Sequence, residues 1–219
     1  MFQFLLDLLF PRHSLLGDEG AWITESERKR LKLYPIRLDK QLLRKRDIKH
    51  LDCLIAAGSY ESSPLLRKAL RTFKYTRIKE LGPELAMHIV ASLRGLLLLP
   101  NSIGEHDVVL CPVPLHWTRT FHRGFNQAEI LASEIGKRKK WPVQRLLKRT
   151  RATGHQAHRK KAERMTAVRD AFVYTEKNPP ACVLVVDDIS STGATLDACA
   201  FALKKAGVKY VVGLTVAYG

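Results

Sequence analysis

Two adjacent carboxylates at the end of an apolar run are the residues of this chain best placed to do chemistry. Val183 to Val186 read Val-Leu-Val-Val, and Asp187 and Asp188 follow directly. A short run that is apolar at every position suits a central strand covered on both faces. Open α/β sheets bind their ligands outside the carboxyl ends of such strands, which is where the two acids fall. The next residues, ISSTGAT, supply hydroxyls at Ser190, Ser191, Thr192 and Thr195, and Gly193 permits a positive φ. A helical pattern opens at Ala194, and a helix start offers free N–H groups and the positive end of a dipole. The loop Ser190, Ser191, Thr192, Gly193, Ala194, Thr195 therefore suits a phosphate. Asp187 and Asp188 suit sugar hydroxyls, directly or through Mg²⁺, whose preferred ligands are hard oxygens. The rivals are a Walker B strand, a dinucleotide loop and a purely structural Asp-Asp turn. No G-x-x-x-x-G-K-[ST] or G-x-G-x-x-G string accompanies the acids.

The charge balance gives a second lead. Lys and Arg number 37 against 21 acids, a formal net charge of +16, which favours polyanionic partners. Residues 137 to 169 hold thirteen of the bases and one acid, Glu163. Such a segment can track nucleic-acid phosphates, with Lys137, Arg138, Lys139 and Lys140 as its densest run. Trp141 is its one aromatic, so stacking on bases gains little support. A solvated basic face is the alternative.

The elements that must position these residues alternate. Residues 51–60 and 107–114, Ala171 to Tyr174, the run ending at Asp188, and 210–217 read as strands. Residues 62–75, Leu81 to Leu99, 125–138 and 194–207 read as helices, the first with Ser62 or Ser63 as cap and Pro64 in its first turn. This order predicts an α/β fold with a mostly parallel sheet flanked by helices. Cysteines 53, 111, 182 and 199 are scattered singly, without Cys-x-x-Cys spacing, and suit buried thiols in a reducing cytoplasm. The first ten residues, MFQFLLDLLF, are too short to span a bilayer and carry Asp7 but no basic n-region. They read as a docked amphipathic helix; any membrane contact is peripheral. A cytoplasmic location is expected.

The stretch Cys182 to Thr195 resembles the signature of type I phosphoribosyltransferases. Three further segments narrow the resemblance: LLRKALRTFKYTRIKELGPELA, DVVLCPVPLHWTRTFHRGFNQAEILA and LLKRTRATGHQAHRKKAERMTAVRDAF. Together they resemble the ComF family of late competence proteins, which are phosphoribosyltransferase-like. The resemblance covers roughly residues 51 to 217, and the Arg-Gly-Phe-Asn-Gln string is its most specific part. It implies a type I phosphoribosyltransferase-like fold over 51–219. Asp187 and Asp188 would hold the ribose of phosphoribosyl pyrophosphate with Mg²⁺, and Ser190 to Thr195 its 5′-phosphate. Val113 to Arg123 should also lie at a strand's carboxyl end, where His116, Arg119 and Arg123 could meet the pyrophosphate. A solvated turn is the alternative for His116 and Arg119. Arg123, Asn126 and Gln127 could instead fix the loop by capping and side-chain hydrogen bonds. Lys148, Arg149, Arg151 and Arg159 fall in a segment that could form a hood over the site or share in nucleic-acid contact.

Residues 1–50 form a separate N-terminal region, in which LLDLLFPRHSLLGDEGAWITESE (5–27) resembles the family's opening, which normally carries two Cys-x-x-Cys pairs in a zinc ribbon. Here the equivalent positions are Ser14 and Gly17, then Thr24 and Glu27. Neither pair retains a thiolate, so a degenerate ribbon without zinc is expected. The functional expectation is a protein that binds phosphoribosyl pyrophosphate or a related 5′-phosphorylated ribose in DNA uptake, handling single-stranded DNA beside a helicase. The alternative is an active phosphoribosyltransferase of nucleotide metabolism. No acceptor-base pocket or general base is legible.

Overall fold

A computed structural model describes residues 13–19, 21–31, 33–75, 78–95, 97–115, 124–150 and 171–219. Its strands are Ile36–Asp39 (β1), Cys53–Ser59 (β2), Val108–Pro112 (β3), Leu147–Arg149 (β4), Phe172–Tyr174 (β5), Cys182–Ser190 (β6) and Tyr210–Tyr218 (β7). Its α-helices are Glu25–Arg30 (α1), Lys40–Lys45 (α2), Pro64–Tyr75 (α3), Leu81–Leu93 (α4), Gln127–Lys139 (α5) and Ala194–Lys205 (α6).

The apolar runs form one sheet in the order β1-β2-β7-β6-β3. All neighbours are parallel except β1, which pairs antiparallel with β2 at the edge. β6 therefore lies inside the sheet, as its unbroken apolar run requires. Alternate residues feed two cores. On one face Ile55, Leu110, Leu184 and Leu214 meet Leu66 and Phe73 of α3, Leu85 and Ile89 of α4, and Leu131 and Ile135 of α5. On the other, Leu54, Val183, Val185 and Val211 meet Leu196 and Leu203 of α6, and Leu147 and Phe172 of the small β4–β5 hairpin. The thiols divide between the layers: Cys53 and Cys182 lie in the first, Cys111 and Cys199 in the second. Burial pushes all four thiols up, Cys111 and Cys182 to about 12.

Local chemistry explains the boundaries. Ser63 Oγ accepts the Leu66 N–H at 3.3 Å at the start of α3. α4 stops at Leu93 and does not run on to Leu99. Arg94 turns extended and Gly95 takes a φ of +73°, so glycine ends the helix although the apolar pattern continues past it. Asp197, in the first turn of α6, accepts the backbone N–H groups of His50 (2.5 Å) and Leu51 (3.2 Å), fixing the approach to β2. No helix among the described residues is long and apolar enough to cross a membrane. The first ten residues lie outside the described residues.

The N-terminal region closes around a carboxylate. Glu27, at 0% exposure, accepts the Ser14 hydroxyl (2.9 Å) and the N–H groups of Leu16 (2.5 Å) and Thr24 (2.6 Å). Its own N–H donates to Thr24 Oγ1 at 3.2 Å, completing a capping box on α1. Three of the four positions aligned with the ribbon cysteines, 14, 24 and 27, are thus joined by hydrogen bonds. The fourth, Gly17, donates its N–H to the Ser14 carbonyl at 3.1 Å. Leu15, Ile23 and Leu31 enter the α3–α4 core, and Arg28 pairs with Glu84 of α4 at 3.0 Å.

Candidate functional site

The carboxyl ends of β2, β7, β6 and β3 share one edge of the sheet, and Asp187 and Asp188 stand on it within β6. Beyond Ser190 the chain turns through Ser191 and Thr192, both exposed, to Gly193. Gly193 sits at the N-cap of α6 with a φ of +78° and gives the helix no side-chain cap. A Cβ there would also press on the end of the Ile48 side chain, which would have to shift, so the positive φ is the stronger reason for glycine. The six loop residues named from the sequence therefore run from the acid pair into a helix start where the Thr192 hydroxyl accepts the Ala194 N–H at 3.4 Å and Gly193 adds no side-chain cap.

Asp188 is 5% exposed, and its Oδ2 is buried without a hydrogen bond. Lys74, in the last turn of α3, brings its Nζ within 3.4 Å of that oxygen, an ion pair by distance but at an angle that makes no hydrogen bond. Ser190 Oγ and Thr215 Oγ1 are buried and unpartnered too, and Thr215 pairs in register with Asp187. Buried polar atoms are ordinarily satisfied, so three open ones on a single sheet edge mark a place where outside atoms belong. The acid pair supplies hard oxygen donors of the kind Mg²⁺ takes. Among the described residues no group of three or more His, Cys, Asp or Glu is placed to hold a metal ion by itself.

The end of β3 joins the same edge. Asn126 accepts the Ala128 N–H at 3.0 Å as the cap of α5 and donates to the Val113 carbonyl at 3.0 Å. Gln127 is 2% exposed and donates to the Lys74 carbonyl at 3.3 Å. Phe125 packs on Phe73, ring centroids 5.7 Å apart. The Phe-Asn-Gln string thus locks α3, β3 and α5 together, the structural one of its two readings. His116, Arg119 and Arg123 lie outside the described residues, as do Arg151 and Arg159.

The basic run Lys137–Lys140 lies elsewhere. α5 starts beside Val113 and runs back 13 residues, about 20 Å, so its last turn is at the opposite end of the sheet. Lys137 and Arg138 pair with Glu134 at 2.7 and 2.6 Å, and Lys139 lies 3.9 Å from Glu105 and over the Trp141 ring. Lys140 ends the helix in a left-handed conformation. Trp141 itself is buried, so it is no stacking platform for bases. Lys148 and Arg149 are in β4, where Arg149 lies over the Phe172 ring.

Lys74 and Thr215 are not legible in the sequence as site residues. Lys74 is visible there only as part of a helix end; nothing in its spacing links it to Asp188.

Comparison with known proteins bears on the whole arrangement. The chain is 27% identical over 177 residues to Competence protein F of Haemophilus influenzae, spanning 79% of this chain and 70% of that protein. It is 34% identical over 106 residues to Competence protein ComFC of Bacillus subtilis, spanning 47% and 41%. Both likenesses support the resemblance to the ComF family. A third relative, DNA utilization protein YhgH of Salmonella typhimurium, is 28% identical over 161 residues, 72% of this chain and 68% of that protein. No protein-family model matches the chain. The ComF relationship and the α/β architecture with its mostly parallel sheet agree with the sequence-based expectation.

Proposed function

We propose that this ComF-like protein binds phosphoribosyl pyrophosphate, or a related 5′-phosphorylated ribose, at the carboxyl edge of β6, in a type I phosphoribosyltransferase-like fold. The observation that carries the reading is the junction at Asp187 to Thr195. An acid pair, Asp187 half-buried and Asp188 buried with an unsatisfied oxygen, leads through a left-handed glycine into a 12-residue helix whose N-cap has no side chain. Asp187 and Asp188 hold the ribose hydroxyls, and the N–H groups and hydroxyls of Ser190 to Thr195 hold the 5′-phosphate. Mg²⁺, when bound, neutralises phosphate charge beside the carboxylates. Ligand binding is assigned to residues 51–219, with residues 1–50 as a zinc-free appendage. Names such as Competence protein F and DNA utilization protein support a role in DNA uptake or use. We assign contact with single-stranded DNA to the bases around Lys137 to Lys140. Their ion pairs with Glu134 and Glu105 are surface ones of little strength, which phosphates can replace. Calorimetry with phosphoribosyl pyrophosphate, with and without Mg²⁺, tests the central reading. Mg²⁺-dependent binding supports it, and no binding to the folded chain rejects it. Following pyrophosphate release with added bases then tells a transferase from a binding protein.

A further inference from the structure

We infer that Lys74 is a ligand-binding residue that makes the site select a doubly phosphorylated ribose over a singly phosphorylated one. The inference rests on the proposed reading of the site and adds to it the class of ligand. Three observations converge on Lys74.

The first is its contact with Asp188. Its ammonium is 3.4 Å from Asp188 Oδ2, yet that oxygen has no hydrogen bond. An ammonium and a carboxylate free to choose would close such a contact to hydrogen-bonding geometry. Lys74 therefore balances the buried charge of Asp188 without saturating it. Its side chain is 21% exposed, so Lys74 is not sealed in the core as Asp188 is.

The second is its anchoring. The Lys74 carbonyl accepts the side-chain amide of Gln127, which is itself buried. Phe73, next in the chain, is fully buried and packs on Phe125. The backbone of Lys74 is thus fixed and its ammonium is held beside Asp188, the arrangement of a preorganised binding group.

The third is its side of the sheet. α3 covers one face and α6 the other. Lys74 and the start of α6 therefore flank the acid pair from opposite faces. A ribose on Asp187 and Asp188, with its 5′-phosphate at the α6 start, presents its other end towards Lys74 and the adjoining end of β3. A second anionic group there gains a cation; a plain hydroxyl gains nothing. When ribose hydroxyls occupy Asp188, the ammonium is released to the second phosphate group.

The test compares affinities for phosphoribosyl pyrophosphate and ribose 5-phosphate, both with Mg²⁺, in the full chain and in K74Q, K74M and K74R. Wild type should prefer the pyrophosphate ligand. K74Q should lose at least tenfold in affinity for it, change less than threefold towards ribose 5-phosphate, and so lose the preference; K74R should keep most of it. K74M preserves the apolar stem and takes the place of K74Q if that variant does not fold. A purely structural role for Lys74 would lower both affinities together and leave their ratio unchanged, and that result overturns the inference. So does an unchanged affinity for phosphoribosyl pyrophosphate in both neutral variants. Failure of the underlying reading looks different: wild type itself then binds neither ligand, and the role of Lys74 falls with it.

Discussion

Glu27 and Asp188 are both carboxylates shut away from water, and the chain treats them in opposite ways. Glu27 is met by a hydroxyl and two backbone N–H groups within a single short segment. Asp188 keeps one oxygen without a hydrogen bond and borrows its counter-charge from a helix distant in sequence. The local network is closed: its donors are consumed and nothing further can enter. The long-range one is open, and the cost of a half-satisfied buried charge is recovered only when a partner arrives. A closed carboxylate holds a fold together; an open one, on the proposed reading, awaits a ligand.

The sharpest way to break this contrast is to neutralise the open site. Asp187→Asn with Asp188→Asn should lower Mg²⁺-dependent affinity for phosphoribosyl pyrophosphate by about a thousandfold, about 4 kcal/mol, as charged contacts are worth roughly 1.5–3 kcal/mol each. Unfolding in urea should change little. Calorimetry on the folded variant decides the matter, and unchanged affinity would remove the acid pair from the site.

Glu27→Ala should do the reverse. Losing several charge-assisted bonds should cost about 3 kcal/mol in denaturant unfolding and leave ligand affinity as it was. A loss of affinity matching that of the aspartate variant would erase the distinction between the two carboxylates.

Acid sharpens it further. Burial pushes the Glu27 carboxyl up, but the bonds from the Thr24 N–H, the Ser14 hydroxyl, the Leu16 N–H and the Thr24 hydroxyl together outweigh it, and the group is held below its ordinary value. Its stabilising effect is therefore complete above the unfolded value, about 4.3, and is lost as the pH falls through the lower folded value. Glu27→Gln should be less stable than wild type at neutral pH, and the gap should narrow in acid. Parallel pH–stability curves for the two proteins would contradict this.

Smaller effects belong to the far end of α5. Replacing Lys137, Arg138, Lys139 and Lys140 by Ala should weaken single-stranded DNA binding at low salt by about tenfold, for all sequences alike. The log–log salt slope should flatten by roughly 0.7 for each phosphate that is no longer neutralised. Phosphoribosyl pyrophosphate should not compete, because the two surfaces lie at opposite ends of the sheet. Salt-independent binding would argue against an electrostatic hold on the strand. Smallest of all, Asn126→Ala should cost about 1 kcal/mol of stability through the missing cap, read from thermal melting.

Much of this is legible in the chain because its signals are local. The run before Asp187 can only be a buried strand, and Gly193 followed by a helical pattern marks a strand–loop–helix junction. β1 is harder. Ile36–Asp39 is only four residues long, so its Ile-Arg-Leu-Asp alternation is too short to stand out, and it is a strand because β2 offers an edge. The end of α4 misleads because apolar periodicity outlasts the helix across Gly95. Lys74 and Thr215 are illegible for a different reason: their meaning lies in register and in the crossing of α3 over β6. The Thr24-x-x-Glu27 spacing is that of a capping box, but the rest of the Glu27 network depends on a turn that brings Ser14 back over α1.

The four thiols have a use of their own. Cys53 and Cys182 sit under α3, α4 and α5, while Cys111 sits under α6 and the β4–β5 hairpin and Cys199 is on the buried face of α6 itself. All are buried, with their thiols held protonated at neutral pH. An alkylating reagent can reach them only when the layer above lifts away. The native protein is thus supplied with two pairs of timers, one on each side of its sheet. If ligand binding pins the start of α6, the modification of Cys199 should slow more than that of Cys53, and the ratio of the two rates would tell which layer the ligand holds shut.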